Sequence, residues 1–600
     1  MQKGMDMREL EYPFDADLIL SKKKSLKRRL LEEGGSFTEK RIAILGGGTT
    51  SDIKQILELF LLNYGIAAEF YESEYNAFYR DAVFDNEELL KFKPDIIYVC
   101  TSNRNIDTYP SLNDDSDTVD MLLKRETDKY MSVWRSLKER YNCPIIQNNF
   151  EMPYFRLLGN RDAYDIHGRV NFLSRLNANL YEYAREHEDF HICDINYISA
   201  DYGLKEWSDP FYWHMYKYAL NVNAIPYLSF NVANIIKSIF GKNKKGFVLD
   251  LDNTLWGGVI GDDGAENIVI GPEESEGQAY TEFQQYIKAH EDLGIILNID
   301  SKNDEENALS GLDHPDSVLK KDDFIMIKAN WDPKDKNFKE IADTLNLLPE
   351  SLVFVDDNPA ERHIVRSSFG NVSAPEIETG DISHFVTAID RAGYFEVTSI
   401  SEDDKKRKKM YKDNAKRAQE AASFTDYHEY LLSLSMKADI KAFEPVYMAR
   451  ISQLTNKSNQ FNLTTKRMTQ DEIEKISADD EYITLYGKLT DKFGDNGVVS
   501  VVIGHIIKDA LDIELWLMSC RVLKRDMEYA MLDTLVKRAK ERGIDKLLGH
   551  YYPTAKNAMV KDFYDTLGFK KIKEEPDMST SWELYIKDYK DKNTVICVEE

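Results

Sequence analysis

Cysteine is scarce in this chain. Five are spread over 600 residues, at positions 100, 143, 193, 520 and 597, with no C-x-x-C pair among them. An odd and scattered set excludes a disulfide framework and a zinc ribbon. Long apolar runs are missing too. None approaches the roughly 18 residues that a membrane-crossing helix needs, and the opening MQKGMDMRELEYP lacks the apolar segment of a secretory signal. Positive charge is in deficit: 77 Lys and Arg against 104 Asp and Glu leave −27. Nucleic-acid binding needs concentrated cations against phosphates, so this balance argues against it. The expectation is a cytoplasmic protein with neither a membrane nor a nucleic acid as partner. Basic runs do occur locally, KKKSLKRR at 22–29, KNKK at 242–245 and KKRKK at 405–409. They read as solvated helix faces or linkers, with a docking site for an acidic partner as the alternative.

What is present is ordinary globular chemistry. Apolar residues make up 42%, with 34 Tyr, 28 Phe and 7 Trp, which fits packed cores rather than disorder. Six hundred residues exceed one core, and the texture of the chain predicts three domains, at 1–240, 241–399 and 400–600. In the first, RIAILG at 41–46, IAAEFY at 66–71 and KPDIIYVCTSN at 93–103 read as strands alternating with helices, a parallel α/β layer. GKNKKG at 241–246 marks a boundary. The pattern then restarts, with strands at 247–251, 294–300 and 351–357 and a helix near 277–292. Beyond 399, SEDDKKRKKMYKDNAKRAQEAA reads as a charged connecting helix. YITLYGKLTD and GVVSVVIGHII follow, joined by the turn-rich KFGDNG as an antiparallel hairpin, then LDIELWLMS and a helix near 526–542. The fold class is multidomain α/β, ending in an α+β domain.

The chemistry concentrates in the middle domain. FVLDLDNTLWGG places Asp250, Asp252 and Thr254 at the C-terminal end of a strand, where parallel sheets hold ligands. Two further strands end in Asp300-Ser301-Lys302-Asn303 and in Asp356-Asp357-Asn358, and NWDPKDKN adds Lys334 between them. On one rim, the carboxylate of Asp250 and that of Asp356 or Asp357 can share a hard Mg²⁺. The ion, Lys334 and the Ser301 hydroxyl can then surround a phosphoryl group. Asp250 can attack phosphorus while Asp252 protonates the leaving oxygen and later activates water. Thr254, Lys302, Asn303 and Asn358 are the expected substrate contacts, and Asp252 joins Asp250, Asp356 and Asp357 as a metal-side acid.

This constellation resembles the haloacid dehalogenase (HAD) superfamily of phosphotransferases, whose core is Rossmann-like. By that resemblance Asp250 is the phosphoryl acceptor, Asp252 the acid and base, Ser301 and Lys334 phosphate contacts, and Asp356 with Asp357 acids on the metal side. DLDNTLWGGVIGDDG, SKNDEENA, NWDPK, LVFVDDNPAER and, near the end, QLTNKSNQFNLTT and MSCRV are similar to the FkbH-like family (HAD subfamily IIIC). The resemblance implies a Mg²⁺-dependent phosphatase acting on a small phosphorylated metabolite. In its sharper form it implies transfer of a glyceryl group from 1,3-bisphosphoglycerate to an acyl carrier protein. A carrier-binding scaffold, or a GNAT acyltransferase with a regulatory HAD domain, are the alternatives.

The departures from that pattern carry as much information. Where acyl-transferring relatives have a Cys before the second-motif Ser, this chain has Asp300. A thiolate accepts and releases acyl groups, whereas a carboxylate would give an anhydride prone to hydrolysis. The first domain resembles SGNH hydrolases of a flavodoxin-like fold, yet GGGTTS at 46–51 offers only Thr50 or Ser51 as nucleophile, with His214 as a candidate base. A dinucleotide fingerprint with Glu72 on the ribose is a rival. A plain glycine turn in a domain serving a partner surface or a homo-oligomer is a third reading. The last domain resembles the GNAT acetyltransferase fold. In RVLKRD at 521–526, however, Lys524 and Asp526 replace the glycines of a pyrophosphate loop. The amides of TNKSNQFN at 455–462 either bind a pantetheine arm or cap and turn the chain.

Overall fold

The computed structural model describes residues 8–33, 37–377, 380–400, 405–421, 423–458, 460–554 and 556–599. The chain divides into two compact units, one of Met7–Ser238 with Glu396–Ser399, the other chiefly of Ile239–Phe395 with Ile400–Glu600.

The first unit is built on five parallel strands: β1 (Thr38–Gly46), β2 (Ile66–Glu72), β3 (Ile96–Cys100), β4 (Ile145–Asn148) and β5 (Phe190–Cys193). Their order is β2-β1-β3-β4-β5. β3 and β4 are buried throughout, as strands covered on both faces must be, which is why β3 reads as an unbroken apolar run; β4 ends in Gln147 and Asn148 and carries no such signature. The order reverses between β1 and β3, so the crevice at their C-terminal ends is a switch point of the sheet. The basic run at 22–29 lies on the helix Ala16–Glu33 and pairs with acids of its own unit. Lys23 reaches Asp52 (2.7 Å), Lys27 reaches Glu58 (2.8 Å) and Arg29 reaches Glu9 (2.8 Å).

The second unit holds two sheets. One has four parallel strands in the order β8-β7-β6-β9, from β6 (Gly246–Leu249), β7 (Ile296–Ser301), β8 (Phe324–Ala329) and β9 (Leu352–Val355). β8 is absent from the sequence reading. FIMIKA is an edge strand, half-exposed over most of its length, and so lacks the apolar signature of its neighbours. The other sheet has eight strands, in the order β15-β16-β14-β13-β12-β11-β10-β17. They are β10 (Lys437–Lys441), β11 (Tyr482–Asp491), β12 (Gly494–Ile507), β13 (Ala510–Met518), β14 (Lys546–Tyr551), β15 (Lys570–Glu574), β16 (Thr580–Tyr585) and β17 (Cys597–Glu599). β11 and β12 form the expected hairpin. Antiparallel pairing continues to β13, whereas β13 pairs β14 in parallel, and β14 pairs β16 antiparallel. This mixed, GNAT-like order puts the helix Met527–Glu541 in the core of the sheet.

The charged segment after 400 is not a solvated connector. Residues 401–404 and 422 lie outside the described residues, but the helix Arg407–Ala421 buries Met410, Tyr411, Asn414 and Arg417. Lys408 of the basic run bonds Glu291 (2.6 Å) and Asp323 (3.1 Å), and Arg407 donates to the Gly294 carbonyl (3.1 Å). Further along, Arg417 grips Asp491 with two bonds (2.6 and 2.9 Å). Within KKRKK, Lys408 finds its acids in its own chain, while Lys405, Lys406 and Lys409 lie exposed as a solvated face would.

Candidate active site

β6 delivers Asp250 to the sheet's C-terminal rim, where its N–H still donates to the Val355 carbonyl (2.9 Å). The chain then turns sharply. Asn253 takes a left-handed φ of 53°, which Asn tolerates, and its side chain accepts from the Gly258 N–H (3.0 Å). Within this turn Asp252 is fixed by its own partners. One Asp252 oxygen accepts from Trp256 Nε1 (3.0 Å) and the Ile260 N–H (3.1 Å), and the other from Asn303 Nδ2 (3.0 Å).

On the next strand, β9 runs into Asp356 and Asp357. The Asp356 carboxylate accepts from the Asn358 N–H (2.9 Å), and Asn358 in turn caps the helix Pro359–Ser368 through the Ala360 N–H (2.9 Å). An Asn cap followed by Pro at the first helical position is a favoured helix start. Arg362, on that helix, donates to the carbonyls of Asp356 (2.6 Å) and Asp357 (2.8 Å). Thr254 Oγ1 accepts from the Asp357 N–H (3.2 Å) and ties the two strand ends together.

Asp250, Asp356 and Asp357 are all buried, and each offers an oxygen within 4.8 Å of the others. Lys334, first residue of the helix Lys334–Thr344, sends Nζ to 2.8 Å from Asp250 and 2.5 Å from Asp356. Burial pushes the Asp356 carboxyl up to about 7, Asp250 beside it adds to the rise, and Lys334 opposes it. Burial also raises Asp357 and Asp252. For Lys334 burial works downward, but the two carboxylates outweigh it and hold the ammonium above its ordinary range. Three carboxylates against one ammonium leave a surplus of negative charge among oxygen donors with no nitrogen or sulfur ligand, which fits a small hard cation.

The other expected site residues take several places. Asp252 is not among the three converging carboxylates, and its oxygens accept from Trp256, Ile260 and Asn303. Thr254, Asn303 and Asn358 act as struts for Asp357, Asp252 and a helix start, and Lys302 is paired with Glu361 (2.6 Å). Ser301 lies buried at the end of β7. Asp300 is fully buried and accepts from Asn337 Nδ2 (3.1 Å), with its second oxygen unpartnered. Burial pushes it up to about 8, so at neutral pH it is chiefly a carboxylic acid. Arg362, Asn337 and Trp256 escaped the sequence reading. Of these, only Arg362 had a local signal, four residues past an Asn cap behind paired acids.

The family model for the FkbH N-terminal domain matches residues 41–237. Among solved structures, the N-terminal part of the protein BF1531 from Bacteroides fragilis, which contains a phosphatase domain and is complexed with Mg, is 30% identical to this chain. The match covers 63% of this chain and 98% of that one, with a TM-score of 0.57. This chain belongs to the FkbH-like family. The FkbH-like chain also matches the ribosomal-protein-S18-alanine N-acetyltransferase of Escherichia coli, at 14% identity over 26% of this chain and 99% of that one, with a TM-score of 0.20. A spermidine N-acetyltransferase of Vibrio cholerae, in complex with CoA and spermine, matches at 11% over 25% and 96%, with a TM-score of 0.21. No curated protein matches.

In the first unit of this FkbH-like protein the hydrolase arrangement is not assembled. The Thr50 hydroxyl donates to Glu72 (2.7 Å), which Lys54 also binds, so neither nucleophile nor ribose ligand is free. Ser51 is the first residue of the helix Ser51–Asn63. His214 lies exposed on the short helix Pro210–Tyr216. The glycine run answers to packing: a Cβ on Gly47 would land on the Asn105 carboxamide, and one on Gly48 on the Lys217 carbonyl.

In the GNAT-like sheet, β13 and β14 pair only from Ala510–Ile513 against Lys546–Gly549 and then part. Residues 461–463 occupy the opening. The Leu463 N–H donates to the Trp516 carbonyl (3.1 Å), the Met518 N–H to that of Phe461 (3.0 Å), and the Tyr552 N–H to that of Leu463 (2.9 Å). Asn456 and Asn462 bond backbone of their own segment, the capping and turning role; Asn459 lies outside the described residues. Lys524 and Asp526 keep the positive φ (62° and 59°) that glycine would take. Between them, the buried Arg525 bonds Asp491 (3.2 Å) and the Arg521 carbonyl (2.9 Å).

Proposed function

We propose that this FkbH-like chain is a Mg²⁺-dependent phosphatase or phosphotransferase that acts on a small phosphorylated metabolite through a phosphoryl group carried on Asp250. The observation that carries the reading is the convergence of Asp250, Asp356 and Asp357 on one spot, with Lys334 bridging the first two. These three carboxylates would hold the ion, whose charge would offset theirs and that of the phosphoryl oxygens. Lys334 fixes the Asp250 carboxylate and adds a permanent positive charge beside the reacting oxygen. An Asp250 oxygen attacks phosphorus, and the bond from phosphorus to the leaving oxygen breaks. Asp252 gives that oxygen its proton. Asp252 then takes a proton from water, the hydroxide attacks phosphorus, and the bond to Asp250 breaks to release inorganic phosphate.

A second, finer reading is acyl transfer to an acyl carrier protein. Asp300 stands buried where a relay thiol would be needed, so the carrier's thiolate would attack the acyl carbon of an acyl phosphate directly, the C–S bond forming as the C–O bond breaks and inorganic phosphate leaves, a route that bypasses phosphoryl transfer to Asp250. Phosphate release from a panel of small phosphoesters and acyl phosphates, with and without Mg²⁺, tests the reading. Turnover that needs Mg²⁺ and vanishes in Asp250→Asn supports it; turnover unchanged in that variant sinks it. Mass spectrometry of a carrier protein incubated with 1,3-bisphosphoglycerate tests the transfer, and an unchanged carrier mass rejects it.

A further inference from the structure

The first unit carries an opening of its own. A cavity of about 690 Å³ lies at the switch point of its sheet, between Gly47 after β1 and Arg104 after β3. Its floor is stiff. Asn105 Nδ2 donates to the Gly47 carbonyl (2.8 Å) while its oxygen accepts from the Ser102 N–H (3.0 Å).

Charge distinguishes this cavity. Arg104 and Arg125 both line it, and among the described residues neither guanidinium has a carboxylate partner or a hydrogen bond. Arg104 is held instead by rings, 4.7 Å from the Tyr154 centroid and 5.2 Å from that of Trp213. That contact orients the guanidinium plane and leaves its N–H fork available. Two acids also line the cavity, but each is paired: Asp107 with Lys129 (3.1 Å), itself a lining residue, and Asp128 with Lys124. Glu151, whose charge Arg104 feels, is buried and accepts from the Asn103 N–H (3.1 Å). In a chain of net charge −27, two uncommitted guanidiniums facing one cavity form a local anion site. Tyr75, Tyr79 and Trp213 add ring surface to its walls. A volume of this size suits a small organic ligand rather than a bare ion.

We propose that this cavity binds an organic phosphate, with Arg104 and Arg125 taking the phosphate oxygens and the rings flanking the rest of the molecule. A nucleotide and a phosphopantetheine arm share that chemistry. The cavity belongs to the first unit and Asp250 to the second, and its test needs no turnover.

Calorimetric titration of the full chain without Mg²⁺, with adenosine 5′-monophosphate and with 4′-phosphopantetheine, decides between the two sources and tests the site. Saturable binding of at least one probe is expected. Each of Arg104→Gln and Arg125→Gln should weaken it about tenfold, the loss of one charge-assisted contact, while phosphate release at the Asp250 site is unchanged. In the native protein, adenosine and pantetheine, which lack the phosphate, should bind at least about tenfold more weakly than the probes. Failure of both probes to bind, native-like binding in either variant, or equal binding of the phosphate-free compounds would overturn the proposal.

Discussion

The second unit presents two places where strands open, and they differ in what fills them. At the rim of β6, β7 and β9, three carboxylates and a lysine face one another with no backbone between them. Where β13 and β14 part, the chain has put its own segment 461–463 into the gap and bonded it to both edges. An unpaired pair of strand edges would otherwise accept an extended, amide-bearing arm as an added strand. The first opening keeps reactive groups and asks for a cation. The second satisfies its backbone internally and asks for nothing. What each opening can do is decided by the groups that line it, not by the fold around it.

The strongest way to break this contrast is at the rim. Asp250→Asn should lower Mg²⁺-dependent phosphate release at least about a thousandfold, because it removes the nucleophile rather than a contact. Substitutions at Lys524 or Asp526 should leave that rate within about twofold, as expected of positions away from the reacting atoms.

Next comes an anchor of the large sheet. The Asp491 side chain is buried and held by Arg417 and Arg525. Arg417→Ala removes its two shortest charged contacts and leaves Arg525 (3.2 Å) and the N–H groups of Phe493 (2.9 Å) and Gly494 (3.3 Å), so thermal unfolding should show a loss of about 3 kcal/mol.

The pH dependence of metal binding sharpens the account of the rim. Asp356 is raised to about 7, so protons compete with the ion below that value. Half-saturating Mg²⁺ for phosphate release should be several-fold higher at pH 6 than at pH 8, on the order of the tenfold change in proton activity per unit. Asp300 predicts a smaller effect of opposite sense. Its native value of about 8 means that the folded chain holds a proton which the unfolded chain releases above the ordinary carboxylate range. Stability from this group is therefore present at low pH and lost as pH rises toward 8. Asp300→Asn should accordingly raise the unfolding midpoint by about 2–4 °C at pH 8 and by less at pH 5. The smallest expected effect is none. Amide exchange at Leu463 and Met518 should be slow and unaltered by acetyl-coenzyme A; loss of protection would show that a ligand can displace the plug.

The sequence announced the rim far better than the plug. Asp250, Lys334 and Asp356 belong to short motifs at the ends of apolar strands, and parallel pairing carries such ends to one edge. Their supports were harder to read. Asn337 meets Asp300 from the helix that carries Lys334, and Arg362 steadies the site through the carbonyls of Asp356 and Asp357 rather than through their side chains. β8 went unseen because an edge strand need not be apolar on both faces. The plug was invisible for a deeper reason: its bonds are backbone to backbone, and every residue but proline can make them. KKRKK was legible in part. Lys405, Lys406 and Lys409 are exposed as a solvated face would be, but Lys408 turns to Glu291 and Asp323, distant in sequence and adjacent in the fold.

The central claim is that Asp250 carries the phosphoryl group. Acid-quenching the protein during turnover of acetyl phosphate with Mg²⁺, then locating the modification by mass spectrometry of the peptides, tests it most directly. The account predicts phosphate on Asp250, none without Mg²⁺, and none in Asp250→Asn. Turnover with no phosphorylated peptide, or with the phosphate on another residue, would contradict it.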